Sequence, residues 1–137
     1  MEEAIINQIP SYEKGKVQFV GATDEVSAIF LSAQVVSDLL NKWNTTVAFF
    51  SLSCRCEALR EMVKNGSATA KLYTVDQKNP NPQVILRKAR GMVNRKFVRA
   101  IVIEGILINP DSVTKWSKLF EGWKDTTMVV IGEADDA

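Results

Sequence analysis

The stretch Lys16-Val17-Gln18-Phe19-Val20-Gly21 runs through Ala22-Thr23-Asp24-Glu25-Val26-Ser27-Ala28 into an apolar-periodic segment ending near Asn44, and it decides the fold class of this chain. Residues 17–20 are a short β-branched and aromatic run. Beyond them Val26, Ile29, Ala33, Val36, Leu40 and Trp43 recur at steps of three and four, and Leu31, Val35 and Leu39 widen the same face. Such a stripe predicts a largely buried helix. A strand that passes through a short loop into a buried helix is the first half of a βαβ unit.

Three more runs, at residues 46–52, 99–106 and 126–131, are nearly continuous in apolar residues rather than alternating. Strands buried on both faces of a parallel sheet read this way. A helix is predicted from near Ser53 to Lys64, presenting Leu59, Met62 and Val63, with Asn65-Gly66 as its stop. A short strand follows at residues 71–75. Residues 76–82 contain Asn79-Pro80-Asn81-Pro82 and form a loop, because proline removes a donor and restricts its neighbour. That loop feeds a helix at residues 82–94. The last helix, residues 111–123, carries Val113, Trp116, Phe120 and Trp123 on one face, packed on the sheet, with capping side chains from Asn109 through Ser112. Alternating strands and helices predict an α/β fold: a three-layer sandwich around a mostly parallel sheet of four or five strands. At 137 residues, with 46% apolar and 24% charged side chains, the chain makes one domain, residues 1–137.

The formal net charge of +1 gives no global attraction to nucleic acid or anionic membrane. No segment reaches the roughly 20 apolar residues of a membrane span. Met1-Glu2-Glu3-Ala4 is acidic, with no apolar run of signal-peptide length behind it, so the expected location is cytoplasmic. Histidine is absent, which removes the commonest zinc ligand and general base. Cys54 and Cys56, one residue apart, are poorly placed for a disulfide and too few for a metal site, so they are expected to be reduced thiols at a helix start. No metal and no cofactor are expected.

The loop after the first strand bears on function. A phosphate-binding loop at this position needs glycines, so that backbone N–H groups can wrap the anion. It also needs a lysine for the outer phosphates and a hydroxyl for magnesium. Gly21 stands at the first glycine position, but Val26, Ser27 and Ala28 occupy those of the second glycine, the lysine and the hydroxyl. Asp24 and Glu25 put negative charge where a phosphate would sit, and they are placed to satisfy the helix dipole themselves. Gly21 and that dipole leave room only for weak binding of ATP and magnesium.

With these elements in order, the chain resembles the RecA-like motor domain of DnaB-type replicative helicases, within the P-loop NTPases. Ala48-Phe49-Phe50-Ser51-Leu52-Ser53 resembles the strand ending in that family's FFSLE motif. Leu72-Tyr73-Thr74-Val75-Asp76, Ile85-Leu86-Arg87-Lys88-Ala89-Arg90 and Ala100-Ile101-Val102-Ile103-Glu104-Gly105-Ile106-Leu107 resemble three further segments in family order, the last being the Walker B strand. Met128-Val129-Val130-Ile131-Gly132-Glu133 falls where the family has a strand ending in a Ser-Gln sensor, and Tyr12-Glu13-Lys14-Gly15-Lys16-Val17 is similar to the approach to its first strand. The likeness spans residues 9–135. By this resemblance the catalytic glutamate falls at Ser53, the Walker B aspartate at Glu104, the sensor glutamine at Glu133 and the loop lysine at Ser27. Later family segments, with the DNA-contacting loops and the arginine finger, have no counterpart here.

The resemblance implies a motor domain stripped of its chemistry. Loss of one preorganised electrostatic group costs on the order of 100–1,000-fold in rate. An arginine finger is worth about 1,000–100,000-fold. With several such groups replaced, the expected function is a catalytically inactive interaction or assembly module in DNA replication or mobile-element biology, partnered by itself, another protein or a replicative helicase. Two other readings stay open: an ATPase or helicase fragment completed by a partner chain, and a small nucleic-acid-binding protein. The second would use Arg87, Lys88, Arg90, Arg95, Lys96 and Arg99 as a phosphate-contacting stripe. These six cations read more simply as a solvated helix face, with no aromatic interleaved to stack bases. The aromatic residues Trp116, Phe120 and Trp123, and Trp43 likewise, are either core or anchors for a partner.

Overall fold

The computed structural model describes residues 11–63 and 69–135. The elements are β1 (Val17–Ala22), α1 (Glu25–Asn41), β2 (Val47–Ser51), α2 (Cys56–Val63), β3 (Leu72–Asp76), α3 (Pro82–Lys96), β4 (Ala100–Glu104), α4 (Pro110–Leu119) and β5 (Thr127–Glu133). One 3-10 turn, Thr69–Lys71, precedes β3. The five strands form one sheet in the order β1-β5-β4-β2-β3, and every pairing is parallel. The fold is therefore α/β, with the larger of the two expected strand counts. Among the described residues no helix is long and apolar enough to cross a membrane.

Each continuous apolar run divides between the two faces, because successive side chains of a strand point opposite ways. Val47 and Phe49 of β2, Val102 of β4, and Val129 and Ile131 of β5 join a core with Ile29, Val36 and Leu39 of α1 and Leu59 and Val63 of α2. Ala48 and Phe50, Ile101 and Ile103, and Met128 and Val130 face the other way, onto Ile85 and Ala89 of α3 and Val113 and Trp116 of α4. Crossovers through α1 and α2 both run toward β3, and those through α3 and α4 both run back toward β1. Each face thus holds the helices travelling in one direction, as a single crossover handedness requires.

Local chemistry sets the helix ends, and several differ from the sequence expectation. α1 stops at Asn41, where the N–H groups of Lys42 and Trp43 both donate to Asp38 O. Trp43 leaves the helix, half-exposed and edge-on to Tyr12 with centroids 5.7 Å apart. The buried stripe of α1 centres on Ser32, Val36 and Leu39, leaving Val26 and Phe30 in solvent. α2 begins at Cys56 rather than near Ser53, because Ser51 Oγ accepts the Arg55 N–H at 2.8 Å and Asp76 accepts the Cys56 N–H, holding the intervening residues in a turn. Leu59 and Val63 are buried as expected, but Met62 is exposed. The predicted stop at Asn65-Gly66 lies outside the described residues. α3 runs on to Lys96, and α4 ends at Leu119, so Trp123 sits in the following turn with its ring edge-on to Phe120 at 4.8 Å. Trp116 and Phe120 are core.

Gly132, in register with Gly21 across β1 and β5, touches the chain leaving β4. A Cβ there would lie 1.5 Å from the Ile106 carbonyl oxygen. Backbone cannot rotate away as a side chain can. Gly132→Ala is expected to lower stability by about 3 kcal/mol, at the top of the range for overpacking, read as a fall in the urea midpoint at unchanged slope.

Candidate functional site

The connection leaving β2 turns to one face of the sheet and that leaving β4 to the other. A crevice opens between such diverging loops at the carboxyl ends of parallel strands. Here it has a volume of about 280 Å³ and draws its walls from Glu25, Ala28, Ser53, Glu104, Gly105 and Glu133, among others. The fold therefore brings Glu25 and Ala28 of α1, Ser53 after β2, Glu104 of β4 and Glu133 of β5 to one place. Among the described residues no lysine or arginine lines it.

The β1-to-α1 connection differs from what the sequence suggested. Gly21 lies inside β1, so only Thr23 and Asp24 separate strand from helix. Two residues leave few backbone N–H groups to wrap an anion. Asp24 is the N-cap, and its Oδ1 accepts the Ser27 N–H at 2.7 Å. That backbone hydrogen bond holds the Asp24 carboxyl below its ordinary pKa. An acidic side chain has taken the donor, and with it the helix-end charge, that would otherwise face a phosphate. Ser27 and Ala28 fall in the first turn of α1, Ala28 buried, and Glu25 reaches out to Arg55 with 3.7 Å between charged atoms.

Glu104, the last residue of β4, is almost wholly buried and in register with Ser51, the last of β2. Ser51 donates to its Oε1 at 2.6 Å, and Ser53 Oγ lies 2.8 and 2.9 Å from its two oxygens. Ser53 had stood out only as the missing catalytic glutamate. Its hydroxyl instead closes a three-residue knot that joins two strand ends. Serine at positions 51 and 53 with a glutamate ending a distant strand leaves no signal in the sequence, because only sheet register pairs them. Glu133 ends β5 exposed at the crevice rim. Among the described residues no group of three or more His, Cys, Asp and Glu could hold a metal ion.

The two cysteines are free. Cys54 is exposed, whereas Cys56 is buried, its thiol pushed up to about 12 by burial and by Asp76.

Away from the crevice, the six cations of residues 87–99 are all exposed on α3 and its exit. The expectation that no aromatic interleaves them is corrected. Arg90 lies over Trp123 at 4.8 Å, Lys96 over Tyr73 at 5.8 Å and Arg99 over Phe97 at 6.0 Å. Tyr73 and Trp123 come from distant sequence, so only the fold assembles them with the helix. Phe97 lies between Lys96 and Arg99 in the sequence itself. A groove of about 390 Å³ runs between Arg87, Lys88, Met92, Arg95 and Lys96, with Gly91 as its floor.

No family model matches the chain, and no curated protein matches it significantly. What the two surfaces do must come from their own chemistry.

Ser51→Ala should lower stability by about 2 kcal/mol, because it strips a donor from a buried carboxyl group. Ser53→Ala, at a half-buried position, should cost less. Urea unfolding of the two variants orders them.

Gly91 and Phe97 are both locally unfavourable. A Cβ at Gly91 would meet nothing within 4 Å, so packing does not require a mid-helix glycine. Phe97 ends α3 in the left-handed conformation, φ 56°, where glycine is preferred, and its ring is 69% exposed. Gly91→Ala and Phe97→Gly are each expected to raise stability by up to about 1 kcal/mol, seen as higher melting temperatures.

Proposed function

We propose that the chain is a RecA-like domain, related to the motor domain of DnaB-type helicases, that has lost nucleotide chemistry. It serves as an interaction or assembly module in replication or in a mobile element. The observation that carries the loss of chemistry is the Asp24 cap on α1, where the Ser27 N–H already has an acidic partner. Around it, Glu104, Glu133 and the Arg55-paired Glu25 line a crevice with no lysine or arginine among its described lining residues, which disfavours a triphosphate. The Ser51–Ser53–Glu104 knot converts a metal-holding position into a structural one. A partner chain that completed an ATPase could add an arginine, but it could not free the Ser27 N–H from Asp24. For the assembly role, support comes from Phe30 and Val26, one helical turn apart and exposed on α1, and from Leu107, half-exposed beside the crevice. Exposed aromatic residues are favoured anchors of interfaces, and the partner would be a second copy or a helicase motor domain.

Titration calorimetry with ATP and magnesium tests the first part. No heat is expected from the natural chain, and none from Ser27→Lys with Ala28→Thr, because the two-residue loop and its cap remain. Adding Asp24→Gly to that pair is expected to restore weak affinity. Micromolar binding by the natural chain would overturn the reading. For the second part, sedimentation velocity should show association with itself or with a helicase motor domain, lost in Phe30→Asp. A strict monomer that ignores the helicase would remove the assembly role.

A further inference from the structure

We propose that the outer face of α3 binds single-stranded nucleic acid, with Arg87, Lys88, Arg95 and Lys96 on the phosphates and a base stacked on Phe97. The site lies on the opposite side of the sheet from α1 and is independent of the assembly role.

Charge segregation comes first. Of the chain's 17 lysines and arginines, seven fall within residues 77–103, a segment holding none of the 16 aspartates and glutamates. The net charge of +1 hides a basic segment set against an acidic remainder. Among the described residues no carboxylate forms an ion pair with any of the six cations of residues 87–99, whereas Lys16, Lys42 and Arg55 each have one. Lys88 is steadied by a hydrogen bond to Gln77 Oε1 at 2.8 Å, and Arg99 by the Val98 carbonyl at 3.1 Å. A helix face that served only for solubility would be expected to mix the two signs.

Shape comes second. Arg87, Gly91 and Arg95 follow one another at steps of four, so they form one row along the helix. The missing side chain at Gly91 leaves a trough between two arginines, bounded by Lys88, Met92 and Lys96. The row is about 12 Å long at 1.5 Å per residue, enough for a short backbone tract.

The aromatic partner comes third. Phe97 caps the C-terminal end of the same helix, 69% exposed, in a backbone conformation that disfavours it. Among the described residues Phe97 is largely exposed, with the Arg99 guanidinium 6.0 Å from its ring centroid. A glycine that packing does not require lies in the trough, and an exposed phenylalanine that glycine could replace follows Lys96, the trough's last lining residue in sequence. Both cost stability, and both make sense if a strand lies in the trough and turns a base onto Phe97. Base stacking on aromatic rings beside a cationic groove is how sequence-tolerant single-strand binders work. An acidic peptide would use the cations but gain nothing from the ring. A duplex keeps its bases stacked inside and could not reach it.

The test is fluorescence anisotropy with labelled oligothymidylate and oligouridylate of about 12 nucleotides, a length within the usual range of such sites. A hairpin duplex and polyglutamate serve as competitors. Both single strands should bind at low salt. With four phosphates engaged at about −0.7 each, the slope of log affinity against log salt should be about −3. Arg87→Gln with Arg95→Gln should weaken binding at least tenfold and flatten the slope by about 1.4. Phe97→Ala should weaken binding about tenfold with the slope unchanged, a split that a purely ionic surface would not give. These positions are exposed, and unchanged circular dichroism establishes that the variants fold. No binding at low salt would sink the proposal. So would tighter binding to duplex, equal competition by polyglutamate, or indifference to Phe97→Ala.

Discussion

The sheet of this protein is covered on both faces, and most of its anatomy follows from that burial. β2, β4 and β5 show almost no surface, and Phe49 and Phe50, adjacent in sequence, fill opposite cores. Parallel strands need crossovers, and crossovers of one hand must change face when the chain changes direction. The chain changes direction once, after β3. Loops leaving β2 and β4, adjacent strands, therefore part to opposite faces, and the crevice between them is a consequence of covering the sheet rather than a separate invention.

What fills the crevice decides what it can do. In a site built for anions the strand ends would offer backbone donors and cations. Here the donors are spent internally: Ser27 N–H on Asp24, Ser51 and Ser53 on Glu104. Hydrogen bonds to a buried carboxyl group add stability only because leaving it bare is so costly. The knot ties the last residues of β2 and β4 and, through the Arg55 N–H on Ser51, sets the start of α2. Gly132, pressed against Ile106, fixes the floor.

The outer face of α3 is the reverse case. Among the described residues its cations have no acidic partners, its central glycine spans empty space, and its terminal phenylalanine holds a conformation better suited to glycine. A crevice that satisfies itself and a surface that does not lie on one small domain. Internal satisfaction favours stability, and unsatisfied charge beside an exposed ring favours a ligand.

The alternation of apolar runs and helical stripes determined the α/β class by itself, since a run with no polar break can be a strand only if both faces are covered. The acidic start of α1 was legible too, as Asp24 and Glu25 are adjacent in sequence just ahead of the helical stripe. Exact helix ends were not legible, because they rest on distant acceptors such as Asp76 for the Cys56 N–H. Nor was the stripe of α1, whose centre on Ser32 and Val36 reflects the face the sheet presents and strands Val26 in solvent. Sequence alone set the charge of each residue and the absence of histidine. Tertiary structure decided the partners: sheet register put Ser51 against Glu104, and chain crossing brought Tyr73 and Trp123 beside the cations of α3. Local preferences act over a few residues and can be read in order along the chain, whereas a contact between strand ends 53 positions apart exists only once the strands have chosen neighbours.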